Sequence, residues 1–427
     1  MDDLLSLCQN PAAVEGLRLR RKRLALLLDR GVQMPCPETV EVGPEIELER
    51  IAPGVILHAG TKLLGAKTSL AAGVRLGLEG PVTLVDCVLG PDVVLDGGYF
   101  QGATFLDRAN ARSWAHMREG TLLEEEASVA HCVGLKQTIL FPYATLGSLI
   151  NFCDCLLAGG TSRKNHSEVG SGYIHFNFTP RGDKATPSLF GDVPRGVLLD
   201  QPRIFLGGLA ASVGPISVGY GAFLGPGQVY RKDVGANGFV LGEPPLPPEL
   251  LSRDQDFDPQ VLTGLSRRLK KNVLYLANLV ALYHWYCHVR ALFAGGAWSI
   301  PYASAQALVA AAIGERLAQL DKLMKALPES IARLKRQQPD GRAFIEQTQL
   351  LLAWPELRDA LGRWEEREGD RRHREQLLEG MAAAAAPGRY LSVVQGLSPT
   401  LKQEAQCWLE GVVSDLLSST VALLPGR

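Results

Sequence analysis

The sequence has 427 residues, of which 46% are hydrophobic and 21% charged, and its formal net charge is -1. This length exceeds one ordinary core, so at least two domains are expected, and the near-zero charge argues against a nucleic-acid-binding protein. The eight cysteines are scattered without a C-x-x-C pair, and neither a signal-peptide pattern nor a long apolar stretch is found. These features predict a cytoplasmic protein without a membrane span.

The first predicted element is a helix over residues 11–30, within an N-terminal helix and lead-in that we place at residues 1–45. Its first half is basic and its second half is apolar. The basic run at residues 18–23 predicts a solvated helix face, with a binding patch as the alternative.

A six-residue repeat dominates residues 46–235, and each hexad opens with an aliphatic residue and carries a turn residue near its centre. Hexads of this kind occur at residues 51–56, 57–62, 70–75, 89–94, 95–100, 117–122, 218–223 and 224–229. The aliphatic residue would point inward, glycine would supply positive φ angles at tight corners, and three hexads would close one triangular coil. The repeat predicts an all-β hexapeptide solenoid, a parallel β-helix, with a sandwich of alternating strands as the alternative.

The repeat is interrupted at residues 107–116 and again at residues 159–204. A long segment that leaves a regular coil is either functional or disordered. The second segment contains aromatic residues that could anchor it, including Tyr173, Phe176 and Phe190. We therefore predict an ordered inserted loop over residues 159–204.

The rest of the chain has a different composition. Residues 236–258 include four prolines between positions 244 and 248, which is typical of a stiff linker. Beyond them, residues 259–427 show apolar side chains at helical spacing, so we predict an all-α C-terminal domain. Its helices are expected from residue 259 to a stop at Gly295 and Gly296, and then at residues 303–326, 328–337, 341–353, 355–378 and 399–423.

Cationic side chains and two histidines are concentrated in the inserted loop. The cations are Arg163, Lys164, Arg181 and Lys184, and the histidines are His166 and His175. A group of cations in an ordered, glycine-containing loop is typical of a phosphate or pyrophosphate site. A solvated loop with scattered charges is the alternative.

Several short sequence motifs in this region resemble those of a known family. They read GSGYIHFNF at residues 170–178, LFGDV at 189–193, FLGG at 205–208, VGPISVG at 213–219 and YRKDV at 230–234. In order and spacing, residues 15–235 resemble the C-terminal domain of the bacterial bifunctional glucosamine-1-phosphate acetyltransferase/N-acetylglucosamine-1-phosphate uridyltransferase. The resemblance implies a left-handed parallel β-helix, an acyltransferase activity with acetyl-CoA as donor, and a homotrimer.

The same resemblance implies roles for single residues. Arg118, Lys136 and Lys184 match side chains that hold the sugar phosphate, and Asn177 matches an asparagine near the thioester. Gly208 and Pro226 match positions whose backbone lines the acetyl-CoA groove. The implied ligands are an amino sugar phosphate or a nucleotide sugar such as UDP-N-acetylglucosamine, and no metal is expected.

Two departures from the family pattern concern activity. The uridyltransferase domain is expected to be absent, because only about 30 residues precede the lead-in to the solenoid. The position of the family's catalytic histidine is Ser148, and a serine alone does not take a proton from an amine near pH 7. Either His166 or His175 therefore replaces the base, together with Asn177, or the protein binds its ligand without turnover as a regulatory protein or scaffold.

Overall fold

The computed structural model of the chain describes residues 11–178, 184–242 and 260–423. A parallel β-solenoid runs from Glu41 to Val240, and an all-helical region follows from Leu265 to Val421. The predicted fold class, a β-helix followed by an all-α region, is confirmed. The predicted linker at residues 236–258 lies largely outside the described residues.

The solenoid strands are short, most of them two or three residues long. In chain order they are β1 (Glu41–Val42), β2 (Ile56–Leu57), β3 (Lys62–Leu64), β4 (Ser69–Leu70), β5 (Arg75–Leu76), β6 (Val82–Val85), β7 (Val88–Leu89), β8 (Val94–Leu95), β9 (Gly98–Gln101), β10 (Ala103–Phe105), β11 (Asn110–Ala111), β12 (Ala115–Met117), β13 (Thr121–Leu123), β14 (Ser128–Val129), β15 (Gly134–Leu140), β16 (Thr145–Leu146), β17 (Asn151–Leu157), β18 (Gly160–Ser162), β19 (Asn165–His166), β20 (Glu168–Val169), β21 (Ile174–Phe176), β22 (Ser188–Phe190), β23 (Phe205–Leu206), β24 (Ala211–Val213), β25 (Ser217–Val218), β26 (Phe223–Leu224), β27 (Val229–Tyr230) and β28 (Phe239–Val240).

The strands stack in parallel into three faces. Face 1 contains β1, β3, β6, β9, β12, β21, β24 and β27, and face 2 contains β4, β7, β10, β13, β22 and β25. The long strands β15 and β17 belong to both faces, because each turns the corner at a residue with positive φ, Gln137 (50°) and Asp154 (56°). Face 3 is a ten-stranded ladder of β2, β5, β8, β11, β14, β16, β20, β23, β26 and β28.

The hexad pattern explains this stacking. The second residue of nearly every face 3 strand is aliphatic, points into the core and lies directly above the corresponding residue of the preceding coil. This buried row comprises Leu57, Leu76, Leu95, Ala111, Val129, Leu146, Val169, Leu206 and Leu224. Each coil thus removes the apolar face of its neighbour from water, which is the main stabilising term of a solenoid.

The interruption predicted at residues 107–116 is wrong, because β11 and β12 continue the ladder there without a gap. The hexad pattern is hidden because Arg108 (φ 56°) and Trp114 (φ 64°) occupy corner positions with positive φ. Glycine is the usual residue in this conformation.

The segment at residues 159–204 is only partly outside the coil. Its strands β20, β21 and β22 pair with the preceding coils on faces 3, 1 and 2. Before them, between β17 and β20, β18 and β19 form an antiparallel hairpin that leaves the coil. The chain between β21 and β22 includes residues 179–183, which lie outside the described ranges, and the 14 residues between β22 and β23 again exceed one corner.

The helices are α1 (Pro11–Asp29), α2 (Val193–Gly196), α3 (Leu265–His288), α4 (Ser299–Lys325), α5 (Leu327–Gln337), α6 (Arg342–Gly362), α7 (Arg371–Ala382), α8 (Tyr390–Gln395) and α9 (Pro399–Val421). The expected break before residue 355 is wrong, since α6 continues through Pro355. Ser398 caps the start of α9, because its hydroxyl accepts a hydrogen bond from the Leu401 N–H. Within the described ranges, the helices lack the combined length and apolarity that crossing a membrane requires.

The helical region packs on face 2 of the solenoid. Helix α4 contacts β7, β10 and β13, and helix α3 contacts β22 and α2. A buried charged cluster joins the two regions, because the Arg290 guanidinium, just beyond the end of α3, pairs with Glu124 and Glu125 of the solenoid. The hydroxyls of Tyr286 and Tyr302 donate hydrogen bonds to these carboxylates.

Candidate functional site

Two of the predicted phosphate-binding residues lie side by side at the corner between faces 1 and 2. Met117 pairs with Leu135, and Lys136 pairs with Cys153, so Arg118, Lys136 and Cys153 occupy the same position on three successive coils. We call these three residues the cation row. Neighbouring strands are about 4.8 Å apart, so the two cationic side chains begin within reach of one anion.

The three residues of the cation row differ in their exposure and in the charges that surround them. Arg118 is exposed and Lys136 is half-buried, with its Nζ 3.9 Å from the Glu119 carboxylate. Burial raises the pKa of the Cys153 thiol, and the nearby Asp154 raises it further, whereas the Arg118 guanidinium opposes the shift. The thiol therefore stays protonated and contributes no negative charge beside the two cations.

The Asn177 side chain and the Lys184 backbone are held by a network around Asp154, the residue that follows Cys153 of this row. The Asn177 side-chain amide donates to the Asp154 carboxylate, which also accepts a hydrogen bond of 2.9 Å from Arg316 Nη2. Arg316 Nη1 donates to the Lys184 carbonyl at 2.6 Å. Burial raises the pKa of Asp154, while the attraction of Arg316 and the Asn177 hydrogen bond oppose the shift. The network thus fixes Asn177 and Lys184, which stand on either side of residues 179–183. The predicted Arg181 belongs to that stretch and lies outside the described residues.

Sequence reasoning missed Arg316, because it belongs to the helical region and lies 162 positions from Asp154 in the chain. A signal was present, however. Arg316 falls in the apolar stripe of α4, which includes Val309, Ile313 and Leu320, and only 2% of it is exposed. A charged residue in a buried stripe indicates a charged partner on the opposing surface.

Gly208 and Pro226 lie on a different edge of face 1, at the corner that follows face 3. Backbone hydrogen bonds from Leu149 to His131, Gly172 to Ser148, Leu209 to Ser171 and Gly227 to Gly208 connect successive coils there. These bonds align His131, Ser148, Ser171, Gly208 and Pro226 on consecutive coils, and we call them the serine row. Ser148, which the resemblance matches to a catalytic histidine, therefore shares an edge with the two predicted acetyl-CoA positions.

The structure separates His166 from both rows. It lies in the β18–β19 hairpin, which leaves the coil at the corner between faces 2 and 3. Arg163 Nη1 anchors this hairpin by donating to the carbonyls of Glu126 and Tyr143 and to the Thr145 hydroxyl. Lys164 is exposed at the turn. Burial, followed by the charge of Arg163, lowers the pKa of His166.

His175 is sealed inside the solenoid. Its side chain is 2% exposed, Nδ1 is 2.7 Å from the Cys153 carbonyl, and Nε2 is 2.7 Å from the Ser188 hydroxyl. Burial lowers its pKa to about 4. With both ring nitrogens hydrogen-bonded inside the core, His175 has no free nitrogen to present to a substrate in this conformation.

Comparison with known proteins adds an independent observation. No protein-family model matches the chain. The chain is similar to curated proteins named bifunctional protein GlmU: a Thermus thermophilus protein is 33% identical over 209 residues, which cover 49% of this chain and 41% of that protein. The Thermotoga petrophila protein is 25% identical over 226 residues, covering 53% of this chain and 45% of that protein. The Kineococcus radiotolerans protein is 27% identical over 245 residues, covering 57% of this chain and 44% of that protein.

The chain spans less than half the length of these relatives. The similarity covers about half of the chain, and the chain folds into the solenoid that the resemblance predicted. The resemblance inferred from the sequence motifs is thus confirmed: about half of the chain is similar to part of the bifunctional GlmU proteins.

Proposed function

We propose that the protein is a CoA-dependent N-acyltransferase that transfers an acetyl group to an amino sugar phosphate or a nucleotide sugar. The cation row carries this proposal. Arg118 and Lys136 present a guanidinium and an ammonium side by side, and the network around Asp154 holds the Asn177 side chain and the Lys184 backbone. Charge-assisted hydrogen bonds from such groups are the strongest that a phosphate receives from a protein.

The two rows lie on opposite edges of face 1, and an acceptor bound between them would contact both. Ser148 of the serine row and Cys153 of the cation row lie on the same coil, five residues apart, so their Cα atoms are at most about 18 Å apart. The long side chains of Arg118 and Lys136 can extend across part of this distance. An amino sugar phosphate would place its phosphate at the cation row and its amine toward Ser148.

Acetyl-CoA as donor and a homotrimer are also part of the proposal. The serine row contains Gly208 and Pro226, the backbone positions that the resemblance assigns to acetyl-CoA. Face 1 and its edges also expose several large apolar side chains. These are Trp114, Leu149, Ile174, Phe176, Phe178 and Leu209. An exposed apolar surface of this kind is typical of a protein–protein interface, which supports assembly through face 1.

Release of the CoA thiol tests the proposed activity. The purified protein should release free thiol from acetyl-CoA when glucosamine 1-phosphate is added, and much less when glucosamine replaces it, because the cation row needs the phosphate. A thiol reagent measures the initial rate. Equal background rates with and without the sugar phosphate would contradict the proposal.

One observation favours the binding or regulatory alternative. Ser148 stands at the family's histidine position, and neither histidine that sequence reasoning offered as a substitute reaches it: His166 is on another corner and His175 is buried. Calorimetric binding of UDP-N-acetylglucosamine without thiol release would favour this alternative.

A further inference from the structure

A histidine that sequence reasoning did not consider contacts Ser148. His131 lies one coil earlier in the serine row, and its Nδ1 is 2.9 Å from the Ser148 hydroxyl oxygen. His131 is exposed and Ser148 is half-buried, so both are accessible to a small ligand. The Ser148 backbone N–H donates to the Ser171 hydroxyl at 3.0 Å, which fixes the corner that carries the serine.

The contact defines a direction for proton transfer. A neutral imidazole with its proton on Nε2 has a lone pair on Nδ1, and this lone pair can accept the Ser148 proton. The serine oxygen is then free to accept a proton from a neighbouring amine. A serine backed by a histidine can therefore do what a serine alone cannot.

We propose that Ser148 and His131 form a two-residue proton relay that replaces the missing histidine base of this acyltransferase. The inference rests on the proposed function. The acceptor amine attacks the thioester carbonyl carbon, a C–N bond forms and the C–S bond breaks. The amine proton passes to Ser148 Oγ as the serine proton passes to His131 Nδ1. The leaving thiolate takes up the proton that the amine gave to the relay, so the products are the amide and the free CoA thiol, and His131 and Ser148 return to their starting protonation.

The location of the pair agrees with this role. It shares the serine row with Gly208 and Pro226, which lie two and three coils away, or about 10 and 14 Å at the spacing of neighbouring strands. A donor lying along these corners would bring its thioester to Ser148. His166 and His175 offer no such placement, because the first is on the corner between faces 2 and 3 and the second is inside the core.

The test compares variants of the full chain by thiol release with acetyl-CoA and glucosamine 1-phosphate. His131→Gln and Ser148→Ala should each lower kcat by roughly 10²-fold or more, the usual contribution of a positioned base. Their KM for acetyl-CoA should stay within a factor of about two. The double variant should be no slower than either single variant, because the two residues act as one unit. His58→Gln, which removes a histidine from the same edge of the solenoid several coils away, should leave kcat unchanged.

Ser148→His separates failure of the relay from failure of the proposed function. It places an imidazole directly at the edge of face 1, so it should turn over substrate, and adding His131→Gln to it should have little effect. If the wild type is active and His131→Gln keeps its kcat, the relay is overturned and the proposed function stands. If neither the wild type nor Ser148→His releases thiol, the proposed function fails, and the relay fails with it.

Discussion

Replacing Arg290 with methionine should lower the free energy of unfolding by about 3–5 kcal/mol, as expected when one partner of a buried ion pair is removed. The arginine is 1% exposed and pairs with Glu124 and Glu125, each 2% exposed, at the junction of the solenoid and the helices. Without it, the buried carboxyl groups of Glu124 and Glu125 would keep the hydroxyls of Tyr286 and Tyr302 as partners but would lose the opposite charge. Urea unfolding followed by tryptophan fluorescence measures the effect, because Trp285 and Trp298 lie in this region.

Arg108→Met is the matched control. Arg108 pairs with Glu126 at 2.8 Å on the same corner of the solenoid, but its side chain is 49% exposed. An exposed ion pair contributes about 0–1 kcal/mol, so this variant should unfold almost like the wild type. Similar losses for the two variants would contradict the view that burial of the Arg290 cluster joins the solenoid and the helices.

Glu124→Gln should change how stability depends on pH. Burial raises the pKa of Glu124 from its ordinary value of 4.5 to about 7. The folded protein therefore holds a proton that the unfolded chain releases, and Glu124 costs stability as pH rises from about 4.5 to about 7. Glutamine does not titrate, so the variant should gain on the order of 3 kcal/mol relative to the wild type across this interval. Unfolding free energies of both proteins at pH 4.5, 6 and 7.5 measure the difference.

His175→Gln provides a control of opposite sign. Burial lowers the pKa of His175 from 6.5 to about 4, so the wild-type histidine adds stability as pH rises between these values. As the pH rises over that interval, the unfolding free energy of this variant should fall relative to that of the wild type. A constant difference in unfolding free energy between the two proteins does not affect this trend. Parallel curves for the wild type and Glu124→Gln would contradict the raised pKa of Glu124.

The solenoid was predictable because its information is local. Each hexad specifies an inward aliphatic residue and a corner. Stacking requires only that neighbouring hexads repeat the same pattern. The error at residues 107–116 has a local cause too. Arg108 and Trp114 occupy positive-φ corners where a glycine was expected, and the buried neighbours on the adjoining coils determine the backbone there.

Contacts between the regions were not predictable in the same way. Asp154 and Arg316 are 162 positions apart, and Glu125 and Arg290 are 165 apart. The helical pattern predicts which residues of α3 and α4 are buried, but not which face of the solenoid covers them. Which residues form these ion pairs depends both on the shape of face 2 and on where the helices lie on it.

The candidate site shows how neighbours in sequence differ from neighbours on a solenoid. Arg163, Lys164, His166 and His175 are close in the chain, yet the triangular coil distributes them over a corner and the core. Arg118 and Lys136 are 18 positions apart and adjacent in space. His131 and Ser148 are 17 positions apart, which is also the length of one coil. This spacing could have indicated from the sequence that the two residues are neighbours.

The central claim is that the cation row binds the phosphate of an amino sugar. Calorimetric titration of the wild type with glucosamine 1-phosphate and with glucosamine tests it most directly, beside the Arg118→Met/Lys136→Met variant and a charge-matched Lys62→Met/Arg75→Met control. Hydrogen bonds to charged groups contribute about 1.5–3 kcal/mol, so the wild type and the control should bind the phosphorylated sugar at least roughly 10-fold more tightly. The cation-row variant should lose this preference. Equal affinity of the wild type for the two sugars, or a preference that survives in the cation-row variant, would contradict the account.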